Sequence, residues 1–564
     1  MSNTAVNLNT SPVSRSVGNA QSPQQTIKEA SSNELFFALV GPAGAGCSRA
    51  AERLMKVLET TAIDGNRFKF CRIKASDLIT EWAQRTGKAL PNGDRKTIDR
   101  VTAYQDLGDM MRREMGEAAI ALEAIAAIRA KRAEFMDTKV NPSEPVTPDN
   151  MPRAYIVDSL KNPAEVRLLR EVYGDAFILV GVVCEERERE ERLLNAFYTI
   201  PEQATQGKHA RDMVRKLMSR DAGENQGDHG QHVTDTFHES DYFIDNSEDD
   251  KKNEKPFLNE EFGRLIEVIT HSEVKRPRIE ETAMHMAYSA QLRSYCLSRQ
   301  VGACLIDSSG NILATGTNEV PRAGGGVYGE RHDHDDNRCY FADFGGCSNN
   351  RVQNAIIEEV IEAATGKTRE TDVAGVDALT KKLRSTALGG LIEFSRAVHA
   401  EMDAILSAAR TGASLVGSRL FVTTFPCHYC ARHIVTAGVS EVHYIEPYPK
   451  SRALDLHKDS ITTETSGWMS PEEFDSPRIA KFQNERATEQ GRQSVESEPG
   501  NKGKVLFRPF IGVAPRLYQR VFLKDRPYKD KVTGKFGIGS PKGSNPWQLH
   551  RVSYADLEVR LVDQ

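Results

Sequence analysis

Three clusters of residues in this 564-residue chain carry side chains with chemistry to offer. The first is His399-Ala400-Glu401, followed about one strand and loop later by Pro426-Cys427-His428-Tyr429-Cys430. A catalytic zinc takes three protein ligands and leaves its fourth tetrahedral position to water, whereas a structural zinc fills all four. One imidazole, His399, and two thiols, Cys427 and Cys430, supply the three, and no fourth donor is evident. Spaced three apart on the first turn of a helix, the two sulfurs face the same way, and the helix N-terminus favours their thiolates. Zinc lowers the pKa of its bound water to about 7, which makes a nucleophile available at neutral pH. Glu401 is then the group that moves the proton, as general base and acid. A lone C-x-x-C has many bland explanations. The same pair with His-x-Glu ahead of it is far more discriminating. His428 and His433 are expected on the helix surface.

The second cluster is Gly41-Pro42-Ala43-Gly44-Ala45-Gly46-Cys47-Ser48, which follows an apolar run and opens a helical pattern, the setting of a phosphate-cradling P-loop. Gly41, Gly44 and Gly46 would form the turn, Ser48 would offer a hydroxyl to Mg²⁺, and Asp158 would stand as a metal-organising carboxylate. The usual lysine is replaced by Cys47, so the ammonium that reaches the β and γ phosphates is missing. Nucleotide binding is expected and phosphoryl transfer is not. Arg187, Arg189 and Arg192 read better as a solvated helix face rich in Glu-Arg pairs than as a lid. The third cluster, His332, His334, Cys339 and Cys347, has ligand types suited to a structural zinc but no standard spacing, and contact with solvent or substrate is preferred.

The elements that must hold these clusters follow from periodicity. Apolar runs at Leu35 to Val40, Ala154 to Val157 and Ala176 to Val183, each followed by helical pattern, predict a parallel sheet covered on both faces, in a domain that closes near Tyr242 to Asn246. Further on, a helix is expected over Glu280 to Ser298 and a hairpin from Val301 to Ile306 and Ile312 to Thr317, turned at Asp307-Ser308-Ser309-Gly310. After a polar insertion at about 321–394, with one helix over Val352 to Ala364, come a helix from His399, a strand Arg419 to Thr423, a helix from Cys427 and a strand Val442 to Ile445. The expected organisation is a disordered tail at 1–32, an α/β P-loop kinase-like domain at 33–255, and a zinc-bearing α/β domain at 270–564. The charged stretch Ser247 to Lys255 reads as a linker.

Composition narrows the partners. A net charge of -5 argues against gripping long nucleic acid, and 7% aromatic residues are sparse for a stacking groove. No run approaches the roughly 18 apolar residues of a membrane span, and the first residues lack a signal-peptide core, so a cytoplasmic location is expected. Nine widely spaced cysteines do not look like a disulfide framework.

The His-x-Glu and Pro-Cys-x-x-Cys pair matches the pattern of zinc deaminases. With Ser294-Tyr295-Cys296-Leu297-Ser298-Arg299-Gln300-Val301-Gly302-Ala303 and Ala314-Thr315-Gly316-Thr317-Asn318, the C-terminal half resembles the deoxycytidylate deaminase branch of the cytidine deaminase superfamily. That resemblance implies an α/β/α sandwich on a five-stranded mixed sheet, hydrolysis of the amine at C4 of a cytosine nucleotide, sugar contact by Asn318 and phosphate contact by Arg299. Taken whole, with Asn318 to Gly326 and Pro509 to Arg516, the chain resembles the bacterial anti-phage dCTP deaminases. This implies action on free dCTP and dCMP, depletion of dCTP during infection, restraint by a small RNA, and a homo-oligomer. A nucleic-acid deaminase and a nucleotide sensor with an inert deaminase half are the alternatives.

Overall fold

The computed structural model describes residues 31–562 apart from 64, 93–94, 142, 150, 223–228, 248–255, 331–335, 342–345, 449–450, 475–500, 525–527 and 537–550. Residues 1–30 of the expected tail, most of the expected linker, and His332 and His334 lie outside the described residues. Ser31 and Ser32, also assigned to the tail, are buried, and the Ser32 hydroxyl pairs with that of Tyr554 at 2.9 Å.

The chain is α/β, built on two six-stranded sheets. The first contains β1 (Glu34–Val40), β2 (Lys69–Lys74), β3 (Arg153–Asp158), β4 (Phe177–Val183) and β5 (Tyr242–Asp245), mutually parallel in the order β5-β4-β1-β3-β2. β1 and β4 are buried along their whole length, which is why they read as unbroken apolar runs. β2 escaped the sequence analysis because it is an edge strand of alternating polar residues, KFCRIK. The chain turns away to opposite sides of β1, and the carboxyl end of that strand leads into the glycine loop and helix α1 (Cys47–Thr60). Helices α2 (Glu186–Phe197), α3 (Ile200–Ala222) and α4 (Val233–His238) separate β4 from β5.

The second sheet follows α5 (Ile279–Gln291), shorter than the helix expected there. Its hairpin, β6 (Gly302–Ile306) and β7 (Ile312–Thr317), is antiparallel, and β6 pairs antiparallel with β8 (Arg419–Thr424). β9 (Glu441–Glu446) runs parallel to β8, and β10 (Ile461–Thr462) with β11 (Val505–Pro509) extends the sheet beyond the five strands expected. Side chains of β6 and β8 alternate between two cores. Cys304, Ile306 and Phe421 join the large core shared with the first sheet, whereas Ala303, Leu305, Leu420 and Val422 pack under the helices that carry the motif. Within the insertion, α6 (Ser348–Thr365) and α7 (Val373–Arg384) form a small helical pair around Ile357, Ile361 and Val376.

The C-terminal residues do not all stay with the second sheet. β12 (Gly512–Val513) pairs antiparallel with β5, adding a sixth strand to the first sheet. A terminal helix, Arg551–Val562, brings Glu558 to the fully buried Arg132, whose guanidinium also meets Glu34 at 2.9 Å. Hydroxyls of Tyr155 and Tyr554 donate to Glu34 and that of Tyr173 to Glu558, on oxygens that also accept from Arg132. Removing one member of such a buried network costs about 3–5 kcal/mol. Among the described residues no helix is long and apolar enough to cross a membrane.

Candidate active site

β7 ends at Thr317, and the next residues anchor the motif helix. Glu319 and Val398 exchange both backbone hydrogen bonds, at 3.2 and 2.9 Å, which places His399 as the N-cap of α8 (Ala400–Arg410). Gly316 faces that helix. A Cβ there would collide with the Ala400 carbonyl and the Ala404 backbone, so only glycine lets α8 lie this close to β7. Gly302 allows the same approach of α5 on the opposite face. From β8 the chain passes through Phe425 and Pro426 to Cys427, the N-cap of α9 (His428–Thr436), whose Sγ accepts the Cys430 N–H at 3.5 Å. Both sulfurs therefore sit at a helix N-terminus, the expected setting.

His399 Nδ1 lies 3.3 Å from Cys427 Sγ and 3.4 Å from Cys430 Sγ, and the three donor atoms are all within 4.8 Å of one another. With zinc bond lengths of about 2.0–2.1 Å to nitrogen and 2.3 Å to sulfur at a tetrahedral angle, the nitrogen-to-sulfur separation is about 3.5 Å. The donor set fits a zinc ion. Hydrogen bonding from Cys430 and His399 draws the Cys427 thiol down to about 4, and Cys427 in turn lifts His399 to about 9. Cys430 moves the opposite way, because its neighbour already carries the thiolate. Glu401, on the first turn of α8, is 4% exposed, and burial first, then the Cys427 charge, raises its carboxyl to about 7. Among the described residues this is the one group of donors that could hold a metal. Cys339 and Cys347 instead line the adjoining cavity.

That cavity has a volume of about 890 Å³, and His399, Glu401 and Cys427 contribute to its wall. Asn318 and Arg299 line it too. The Asn318 side chain accepts the Val301 N–H at 2.6 Å and donates to the Arg299 carbonyl at 2.7 Å, so it holds the segment before β6. Arg299 pairs with Glu446 at the end of β9 and lies against the ring of Tyr448, 5.9 Å from its centroid. Sequence reasoning missed Glu319, a buried carboxylate that accepts the Tyr295 N–H at 2.8 Å. Its position beside Asn318 was the available signal. It also missed the mouth, where the insertion brings Arg338 and Phe341 against Tyr295, with the guanidinium 4.9 Å from the tyrosine ring and 5.1 Å from the phenylalanine ring. Nothing in local spacing links residues 295 and 338.

The glycine loop is arranged differently. Gly44 and Gly46 have φ of 84° and 88°, but what approaches them closely is protein: the Arg189 carbonyl beside Gly44 and the Asn246 amide beside Gly46. Gly41 is crowded by Cys47 Sγ and the Val182 carbonyl, each 2.9 Å from where its Cβ would be. The Ala43 N–H, a loop amide, donates to Asp221 at 2.7 Å, and Lys161 Nζ donates to the same carboxylate at 2.8 Å. An internal anion thus sits on the loop, with an ammonium from the segment after β3. Ser48 does meet Asp158, donating at 2.9 Å, but Arg72 already pairs with that carboxylate, and the expected Mg²⁺ finds no support. Of the three arginines, Arg187 is 74% exposed, whereas Arg192 donates to the Asn246 carbonyl at 2.7 Å beside the loop.

Residues 277–446 match the family model described as the cytidine and deoxycytidylate deaminase zinc-binding region. The deoxycytidylate deaminase of Enterobacteria phage T4 is 31% identical over 171 residues, 30% of this chain and 79% of that protein. That of Enterobacteria phage T2 is 34% identical over 174 residues, 30% and 81% of the respective chains. Among solved structures, dCMP deaminase from the cyanophage S-TIM5 in complex with dCMP and dUMP is 23% identical, with 33% of this chain and 93% of that chain covered at a TM-score of 0.20. Shikimate kinase from Acinetobacter baumannii is 12% identical, with 45% and 100% covered at a TM-score of 0.21. The two phage deaminases are thus more than 30% identical to this chain over more than two thirds of their own length. Through its C-terminal half, the protein belongs to the deoxycytidylate deaminase family.

Proposed function

We propose that the protein hydrolytically deaminates free deoxycytidine nucleotides, converting dCMP and dCTP to dUMP and dUTP with release of ammonia, and that it uses zinc to do so. The observation that carries this reading is the convergence of His399 Nδ1 and the two cysteine sulfurs beside the buried Glu401, in the wall of a cavity of about 890 Å³. That volume lies in the ordinary range for small-molecule sites, and a single nucleotide fits it.

His399, Cys427 and Cys430 hold the metal. When bound, zinc lowers the pKa of a water to about 7. Glu401 takes the water proton, passes one to N3 of the pyrimidine, and assists proton delivery to the departing amine. The C4–N bond breaks, a C4–O bond forms, and the nitrogen leaves as ammonia. Asn318 positions the backbone before β6 and faces the sugar, and Arg299 receives the phosphate end. Resemblance to the bacterial anti-phage dCTP deaminases extends the reading to depletion of the dCTP pool in the cytoplasm of an infected cell, with restraint by a small RNA and assembly into a homo-oligomer.

One observation favours a second reading. Tyr295, Tyr340 and Phe341 expose their rings in the cavity wall, 43%, 62% and 49% accessible, and exposed rings are platforms on which the bases of a single strand stack. Incubation of the purified protein with dCMP, dCTP, CTP and a single-stranded oligonucleotide separates the two, with ammonia and uracil products as the measure. Turnover of dCMP and dCTP is expected. Turnover of the oligonucleotide alone would replace the first reading with the second, and no turnover by zinc-loaded protein would leave a nucleotide-sensing protein with an inert deaminase half.

A further inference from the structure

The cavity's Arg299 is not held by the deaminase sheet alone. Glu446, the last residue of β9, is pinned from two directions: its backbone carbonyl accepts the Phe425 N–H at 2.7 Å, and its Oε2 accepts the Thr424 hydroxyl at 2.7 Å. Its other carboxylate oxygen, Oε1, pairs with the Arg299 guanidinium. The same oxygen lies 3.5 Å from Nδ1 of His238, the last residue of α4 in the first domain. Asp235 on α4 adds a negative charge near Arg299. One short helix of the first domain therefore meets the carboxylate that aims a cavity arginine.

Two features make this more than packing. The Nε2 atom of His238 is buried without a hydrogen-bond partner, a costly arrangement for a ring that only fills space. Burial pushes this imidazole down to about 3, so near neutral pH it meets Glu446 uncharged and does not compete with Arg299 for the carboxylate as a second cation. The span similar to the family model runs from 277 to 446 and so includes Arg299 and Glu446 but not α4. The contact joins that span to a residue outside it.

We propose that His238, acting through Glu446, is a positioning residue by which the first domain fixes Arg299 and so sets how tightly the cavity holds the phosphate end of its substrate. This rests on the nucleotide reading above. An arginine has five N–H donors, and holding its guanidinium on one side leaves donors on the other side preoriented for a phosphate. The chemical step, centred on Glu401, is not part of this chain of contacts.

The test is steady-state kinetics of the full-length, zinc-loaded protein with dCMP, together with inhibition by deoxycytidine, which lacks the phosphate. In Glu446→Gln, KM for dCMP should rise about tenfold, as expected for loss of a charge-assisted contact that positions the arginine. The turnover number should stay within about twofold, and the inhibition constant of deoxycytidine should not move. His238→Ala should raise KM about threefold, and the double variant should be no worse than Glu446→Gln alone, because one residue acts through the other. Glu446→Asp, which keeps the charge but withdraws it by one methylene, should fall between wild type and Glu446→Gln, and it serves equally if the latter does not fold. Equal shifts for dCMP and deoxycytidine, a fall in turnover with KM unchanged, or additive effects in the double variant would overturn the relay. Failure of the wild type to deaminate any cytosine nucleotide would instead overturn the nucleotide reading.

Discussion

The zinc motif and the glycine loop both sit at the carboxyl end of a central strand and at the N-terminus of a helix, yet one faces a cavity and the other faces protein. At the motif, the donor atoms of His399, Cys427 and Cys430 converge to within 4.8 Å of one another, and about 890 Å³ of space opens beside them. At the loop, the Asp221 carboxylate accepts from Ala43, Lys161 neutralises it, and Arg189 and Asn246 fill the room above the glycines. The difference teaches that a motif specifies backbone shape and donor direction, while what occupies that shape is decided by distant residues. Here α2, α3 and Lys161 decide it.

The contrast is most open to challenge at the metal. Cys427→Ser should abolish deamination below detection and empty the site, as elemental analysis would register, and it should lower the melting temperature as well, since metal binding and folding are coupled. Retained stoichiometric zinc would mean that the three donors do not act as one site. Glu401→Gln should keep the zinc and lose about 10²–10⁴ in kcat, the range for removal of a general acid and base. If metal left with the carboxylate, Glu401 would be a ligand and not a proton carrier.

Gly316→Ala probes how the motif is positioned. Its Cβ would meet the backbone of α8, which cannot yield as a flexible side chain would, and overpacking of this kind costs about 1–3 kcal/mol. Chemical denaturation should show that loss, with activity falling as His399 and Glu401 shift. A variant as stable and active as wild type would show that α8 is free to slide.

On the loop side, a phosphate reaches the Ala43 amide only by displacing Asp221. Asp221→Asn, which weakens the internal anion, should therefore tighten binding of a nucleoside triphosphate severalfold, read from the nucleotide-dependent rise in melting temperature. Equal response in variant and wild type would show that the carboxylate does not compete. The smallest effect is expected from Ser48→Ala: Asp158 keeps its ion pair with Arg72, so stability should change by less than about 1 kcal/mol and dCMP turnover by less than twofold. A larger loss of turnover would reveal coupling from the loop to the cavity that the contacts do not suggest.

Much of this was written locally in the chain. The spacing of His399, Glu401, Cys427 and Cys430 foretold the donor set, because ligand identity and helix phase are local properties. The runs LFFALV, AYIV and FILVGVV marked the central strands, since a strand buried on both faces needs apolar residues at every position. The hairpin of β6 and β7 was legible from Asp307 to Gly310, where the turn residues carry their own conformational preference. Tertiary structure alone decided the rest. That β12 joins the first sheet and the C-terminal helix reaches Arg132, that the insertion sets Arg338 beside Tyr295, that His238 reaches Glu446, and that Asp221 sits on the glycine loop all depend on contacts across tens to hundreds of residues. Such contacts are selected by the packing of whole layers, and that selection leaves no periodicity in the sequence around any one of them.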